Sequence, residues 1–206
     1  MPGRKELDQR KLVAKEAALL LYYRLSTEYK QAKEMASKSL GVRFLPSNRE
    51  VAEELDALAS LLEGEERTKT LVKMREDALE IMRLLSKFKP KLIGSVWRGT
   101  ARKGSDIDIV VFSSDYKEVT DLLRKKGLKV TQISIKKKTE GDSAKEYPHI
   151  YLESPRGYTV DLVVKKPEEE SVNEICDIYG DIIRGLTLEE LEEVLKKDPT
   201  RRFLPP

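Results

Sequence analysis

The stretch Gly94-Ser-Val-Trp-Arg-Gly-Thr-Ala-Arg-Lys-Gly-Ser-Asp-Ile-Asp-Ile-Val110 decides how this chain is read. Its second half runs into Val111-Phe112 as an apolar strand, yet it carries Asp106 and Asp108 one residue apart. Carboxylates disfavour strands, and residues at i and i+2 share a face. Two like charges about 7 Å apart along the backbone repel unless water or a cation lies between them. Alternation places Ile107, Ile109 and Val111 on one face, suited to helix packing, and Asp106, Asp108, Val110 and Phe112 on the other. The aspartate pair by itself reads more readily as a solvated strand start, with the carboxylates as turn or cap residues, than as a metal site.

Before the pair, Ile93-Gly94-Ser95 closes a short strand, and Val96 to about Arg102 can begin a helix. Glycine lets a ligand approach the backbone, and free N–H groups at a helix start suit phosphate. Arg98, Arg102 and Lys103 add positive charge to the same segment. A phosphate cradle followed by paired carboxylates suits a metal-bound nucleoside triphosphate.

Working outward, the chain divides in two. Residues 4 to about 88 have helical periodicity. One long helix is expected from Lys5 to Leu40, stopped by Gly41, with Leu12, Ala17, Leu25, Tyr29, Ala32 and Ala36 on its apolar face. Ser47 and Glu50 form a capping-box signature for a second helix, with Val51, Leu55, Leu58 and Leu61 apolar. A third covers Glu65 to Phe88, and Pro90 ends it. From Lys91 the period drops to two. Strands are expected at Lys91–Gly94, Asp106–Phe112 and Leu128–Ile135, with a helix from Asp115 to Lys126. "HIYLESPRGYTVDLVV" reads as a hairpin turning at Pro155 and Gly157. The lysines at 136–138, with Gly141-Asp142-Ser143 behind them, are expected to form a loop. After Pro167 the pattern is helical again, with a capping box at Thr187 and Glu190.

The 206 residues carry a net charge of +3, and 36% of them are charged. Asn and Gln are scarce, a composition that resembles thermophile proteins. The single cysteine and single histidine exclude an internal disulfide and a Cys/His zinc set. A reducing, cytoplasmic setting without a signal peptide is the expectation. The longest apolar run, Ala17–Tyr23, is too short to cross a bilayer.

An apolar residue, Gly-Ser, a spacer of ten, then Asp-apolar-Asp-apolar resembles the signature of the DNA polymerase β-type nucleotidyltransferase superfamily. Asp161, in the otherwise apolar "YTVDLVV", stands where that superfamily places a third carboxylate. The hairpin is similar to that of archaeal-type CCA-adding enzymes, and "GSVWRGTARKGSDIDIVV" also to minimal nucleotidyltransferases. The resemblance implies an α+β fold: a mixed sheet with helices on one face, preceded by an N-terminal helical region. The boundaries it suggests are 1–74 for the helical region, 75–166 for the core and 167–206 for a helical tail. It implies two Mg²⁺ ions held by Asp106, Asp108 and Asp161, and a nucleoside triphosphate, ATP first, held by Gly94, Ser95, Arg98 and Lys103. In-line attack at the α-phosphorus would then pass a nucleoside monophosphate to an acceptor hydroxyl. An RNA end, such as that of tRNA, is one acceptor; Lys136-Lys137-Lys138 and Arg124-Lys125-Lys126 suit a polyanion. A partner protein, adenylylated as by minimal nucleotidyltransferase antitoxins, is another. A non-catalytic nucleotide- or RNA-binding module is the third reading. The N-terminal helices are open as a homodimer or protein-partner surface. Trp97 and His149 read as packing residues.

Overall fold

A computed structural model describes residues 4–140 and 143–206. The described residues form two compact units, one of residues 4–67 with 175–181, the other of 68–140, 143–174 and 182–204.

The first unit holds α1 (Arg4–Tyr22), α2 (Tyr29–Leu40) and α3 (Asn48–Glu63). Their shared core is Val13, Ala14, Ala17, Ala18, Leu21, Ala32, Ala36, Val51 and Leu55. The many alanines let the helix backbones approach closely. The single helix expected over Lys5–Leu40 is broken. Arg24 takes a left-handed conformation (φ 57°), and the amides of Arg24 and Leu25 return to the Leu21 and Leu20 carbonyls, closing α1. Buried Ser26 then bonds the Glu28 carbonyl and Gln31. Leu12 and Leu25, expected on the apolar face, are 55% and 67% exposed, and Leu61 of α3 is 80% exposed. The capping box is present: Ser47 Oγ accepts from the Glu50 amide, and the Ser47 amide donates to Glu50.

The second unit is a five-stranded mixed sheet backed by helices. Its strands are β1 (Lys91–Ile93), β2 (Ile107–Phe112), β3 (Val130–Glu140), β4 (Ser143–Glu153) and β5 (Thr159–Lys165), in the order β1-β2-β5-β4-β3. Only β2 and β5 run parallel; every other neighbouring pair is antiparallel. The helices are α4 (Glu65–Leu84), the short α5 (Gly94–Arg98), α6 (Tyr116–Lys125) and α7 (Leu188–Lys197). Ile107, Ile109 and Val111 of β2 and Val160, Leu162 and Val164 of β5 are buried in one cluster with α4, α6 and α7 side chains. The alternating strand residues Asp108, Asp161 and Val163 keep partial exposure on the opposite face. The α+β architecture with helices against one sheet face is therefore the one observed.

The expected loop at the lysine run is not a loop on its β3 side. Lys136, Lys137 and Glu140 belong to β3, paired with Tyr147, Glu146 and Ser143. Cross-strand charge pairs such as Lys137–Glu146 (3.2 Å) support the extension. Gly141 and Asp142 lie outside the described residues. The helical reading after Pro167 also shortens: a 3₁₀ turn at Pro167–Glu169 leads into irregular chain until α7. One bridge holds that chain to the sheet edge, where Leu92 and Leu186 exchange amide–carbonyl bonds of 2.8 and 2.9 Å.

Candidate active site

The aspartates lie on the open face of the sheet. In the parallel β2/β5 ladder Asp108 is the direct partner of Asp161, so the two carboxylates rise side by side from adjacent strands. Asp106 stands just before β2 and is exposed. Gly94, next to β1, lies beneath Asp108. Its φ is +69°, and a Cβ built there would come within 2.8 Å of the Asp108 Cγ, so the position demands glycine twice over. Burial, then the charges of Asp161 and Asp106, push the Asp108 carboxyl from 3.8 up to about 7; Lys136 opposes them. Three carboxylates are thus within electrostatic reach of one point, and one of them is unfavourable as an anion in the protein alone.

Asp161 has two partners that sequence reading did not assign. His149 Nδ1 lies 2.7 Å from Asp161 Oδ1, and Lys136 Nζ lies 3.5 Å from Oδ2. His149 stacks on Tyr151 (centroids 6.2 Å apart, planes at 22°), and Lys136 sits 5.3 Å from the Tyr151 ring centroid. The register explains the cluster: Tyr151 pairs with Asp161, His149 lies two residues along on the same face, and Ser134, two before Lys136, pairs with His149. The hairpin lysine and lone histidine therefore lie against Asp161, an arrangement visible in sequence only once the register is known.

Among the described residues, no three His, Cys, Asp or Glu side chains are already gathered as a metal cage. The donor chemistry nonetheless fits a divalent cation. Oxygen-only carboxylate ligands suit Mg²⁺, and a cation would remove the repulsion that lifts Asp108.

The Gly-Ser turn is braced from below. Arg75 on α4 is fully buried and spreads its guanidinium over four carbonyls: Val96 (3.1 Å), Trp97 (2.9 Å), Pro199 (2.7 Å) and Arg201 (2.8 Å). Burial lowers its pKa to about 10, which leaves it charged at neutral pH; Asp198 works the other way. Arg75 thereby satisfies the end of α5 and fastens the carboxy-terminal segment to it. Arg98, expected as a clamp on phosphate, is buried; Nη1 donates to the Phe203 carbonyl (3.1 Å), and the guanidinium lies 4.4 Å from the Trp97 ring centroid. Ser95 is partly exposed at the start of α5, and Lys103 is exposed in the turn before Asp106. Trp97 is packed, as read from sequence.

Two residues after Arg75, Asp77 is also fully buried. It accepts from Ser154 Oγ (2.5 Å), the Arg156 amide (3.1 Å) and the Arg156 guanidinium. The Tyr158 amide closes the turn on Ser154 Oγ (2.9 Å). One helix thus holds both halves of the site: Arg75 fixes the Gly-Ser turn, and Asp77 fixes the β4–β5 turn leading to Asp161. The amphipathic pattern of α4, apolar at helical spacing, gives no sign that these two charges are buried.

A comparison with curated proteins finds no match. Among solved structures, the chain is similar to the Cid1 poly(U) polymerase bound to MgATP, at 18% identity over 47% of this chain and 32% of that one, TM-score 0.32. It is likewise similar to a cytoplasmic RNA terminal U-transferase, at 20% identity over 57% of this chain and 34% of that one, TM-score 0.31. The chain thus spans about a third of the length of each of these structures. No helix among the described residues is long and apolar enough to cross a membrane. Residues 75–184, just over half of the sequence, match the family model described as a nucleotidyltransferase domain, and the chain belongs to that family, of the DNA polymerase β-type superfamily.

Proposed function

We propose that the protein transfers a nucleoside monophosphate from a nucleoside triphosphate to an acceptor hydroxyl, with Asp106, Asp108 and Asp161 as the metal-binding catalytic residues. The observation that supports this reading most is the pairing of Asp108 with Asp161 across parallel strands, over a glycine that admits no side chain. Asp106 and Asp108 would hold both cations, and Asp161 would hold the one nearer the attacking oxygen. Bound divalent cations supply charge neutralisation at the triphosphate and acidify the acceptor hydroxyl. The chain's own part is positioning. Gly94 and Ser95 present backbone and hydroxyl to the β- and γ-phosphates, and Lys103 adds charge. Arg98, held on the carboxy-terminal segment, and Arg75 keep α5 in place. Asp161, with His149 behind it, stands where the acceptor proton leaves.

RNA is the acceptor we favour, because Lys136 and the Tyr151 and His149 rings lie beside Asp161. A charged amine next to flat rings suits a nucleotide better than a protein side chain. The likeness to CCA-adding enzymes is a reading of the hairpin sequence alone.

The test is incubation with each α-³²P-labelled nucleoside triphosphate, Mg²⁺, cellular RNA and lysate protein, resolved on a denaturing gel. Label on RNA, absent with Asp106→Ala/Asp108→Ala, is the expected result and names the nucleotide. Label on a protein band instead would move the acceptor to a partner protein. Nucleotide binding without any transfer would favour a binding module.

A further inference from the structure

The sheet order divides the site into two flanks. Gly94 and Ser95 follow β1, the carboxylates stand on β2 and β5, and Tyr151, His149 and Lys136 stand on β4 and β3. In-line displacement requires the nucleophile to enter opposite the leaving group. If pyrophosphate leaves on the β1 flank, the acceptor enters over β5, β4 and β3. Lys136 is the cation on that flank seated on a proposed catalytic carboxylate, and it is 54% exposed on a strand whose other face carries Lys137. An ammonium resting on Asp161 occupies the place a divalent cation would take. A divalent cation held by Asp161 would repel that ammonium, and the long lysine stem can swing without moving β3.

We infer that Lys136 is the acceptor-side phosphate contact: displaced from Asp161, its ammonium pairs with the last phosphodiester of a single-stranded RNA whose terminal base lies against Tyr151. This rests on the reading of the protein as an RNA-directed nucleotidyltransferase. It adds the surface that takes the RNA, and a state of that surface in the free protein in which the lysine covers the carboxylate. No bond is made or broken by Lys136; it binds and orients.

The experiment measures fluorescence anisotropy of a short fluorescein-labelled single-stranded RNA on the full chain, with Mg²⁺ and a non-transferable α,β-methylene triphosphate. Lys136→Met is compared with wild type and with Lys137→Met. Lys137 makes the same charge change on the opposite face and pairs with Glu146 at 3.2 Å. Lys136→Met should weaken RNA binding by about five- to tenfold and reduce the slope of log affinity against log salt by about one. Its affinity for the triphosphate should stay within about twofold, and Lys136→Arg should restore RNA binding. In the absence of nucleotide and RNA, Mn²⁺ should bind the Met variant more tightly than wild type, read by electron paramagnetic resonance. Equal RNA affinity of wild type and Lys136→Met, or equal losses in the two Met variants, would overturn the inference while leaving the enzyme reading intact. A wild type that binds triphosphate but no RNA would overturn the RNA reading, and Lys136's role with it.

Discussion

Replacing Asp108 by Asn should stabilise the protein while removing its activity. The carboxyl is lifted from 3.8 to about 7, mainly by burial against its surroundings and then by Asp161 and Asp106. A gap of that size corresponds to about 4 kcal/mol at ~1.4 kcal/mol per pH unit. Asp108 keeps partial solvent exposure, which screens part of this, so the expected gain at pH 8 without metal is about 2–4 kcal/mol. Near-isosteric Asn removes the charge and leaves the shape. The pH dependence follows from proton linkage. The folded protein binds the Asp108 proton more tightly than the unfolded chain does, so the contribution of Asp108 to wild-type stability is most favourable below 3.8 and falls as pH rises toward 7. The advantage of the variant should therefore be full above pH 7 and vanish by about pH 4. Thermal unfolding in EDTA at several pH values reads it directly, with a shift of about 5–10 °C at pH 8. Mg²⁺ should raise the wild-type midpoint and leave the variant unmoved. A variant less stable than wild type at pH 8 in EDTA would refute the reasoning, because it would mean that the carboxylate is favourable where it stands.

Two further outcomes concern the frame of the site. Gly94→Ala must fit a Cβ against the Asp108 carboxylate at a φ of +69°, so it should leave the circular dichroism spectrum in place and lower transfer by about 100-fold through displaced carboxylate geometry. Arg75→Met would leave the Val96, Trp97, Pro199 and Arg201 carbonyls without their shared donor. Urea unfolding should show a loss of about 3–5 kcal/mol, and Arg75→Lys should recover only part of it because an ammonium cannot span four acceptors.

Period-two alternation made β2 and β5 legible, because one face is apolar and Asp108 and Asp161 interrupt the other. Capping boxes at Ser47/Glu50 and Thr187/Glu190 fixed two helix starts, and both are present. The break at Arg24 was not legible: nothing marks a non-glycine residue for φ > 0, and the apolar run through Tyr23 reads on as helix. Arg75 and Asp77 were hidden for a related reason. A charge inside an amphipathic helix is ordinarily solvated, and only the tertiary fold brings carbonyls or a turn to meet it. Lys136 and His149 needed the β3/β4 and β4/β5 registers, which depend on pairing between distant segments. The lysine run looked like a loop because its composition is polar; cross-strand partners turned it into strand.

The most direct test of the central claim is a count of products in one reaction: α-labelled nucleotide joined to acceptor against pyrophosphate released, for wild type and Asp161→Asn, with Mg²⁺ and with EDTA. The expected result is one pyrophosphate per nucleotide transferred by the wild type, none in EDTA, and a loss of at least about 1000-fold in the variant, the scale on which removing a charge-stabilising group acts. Transfer that survives in EDTA, or in Asp161→Asn at the wild-type rate, would contradict the account.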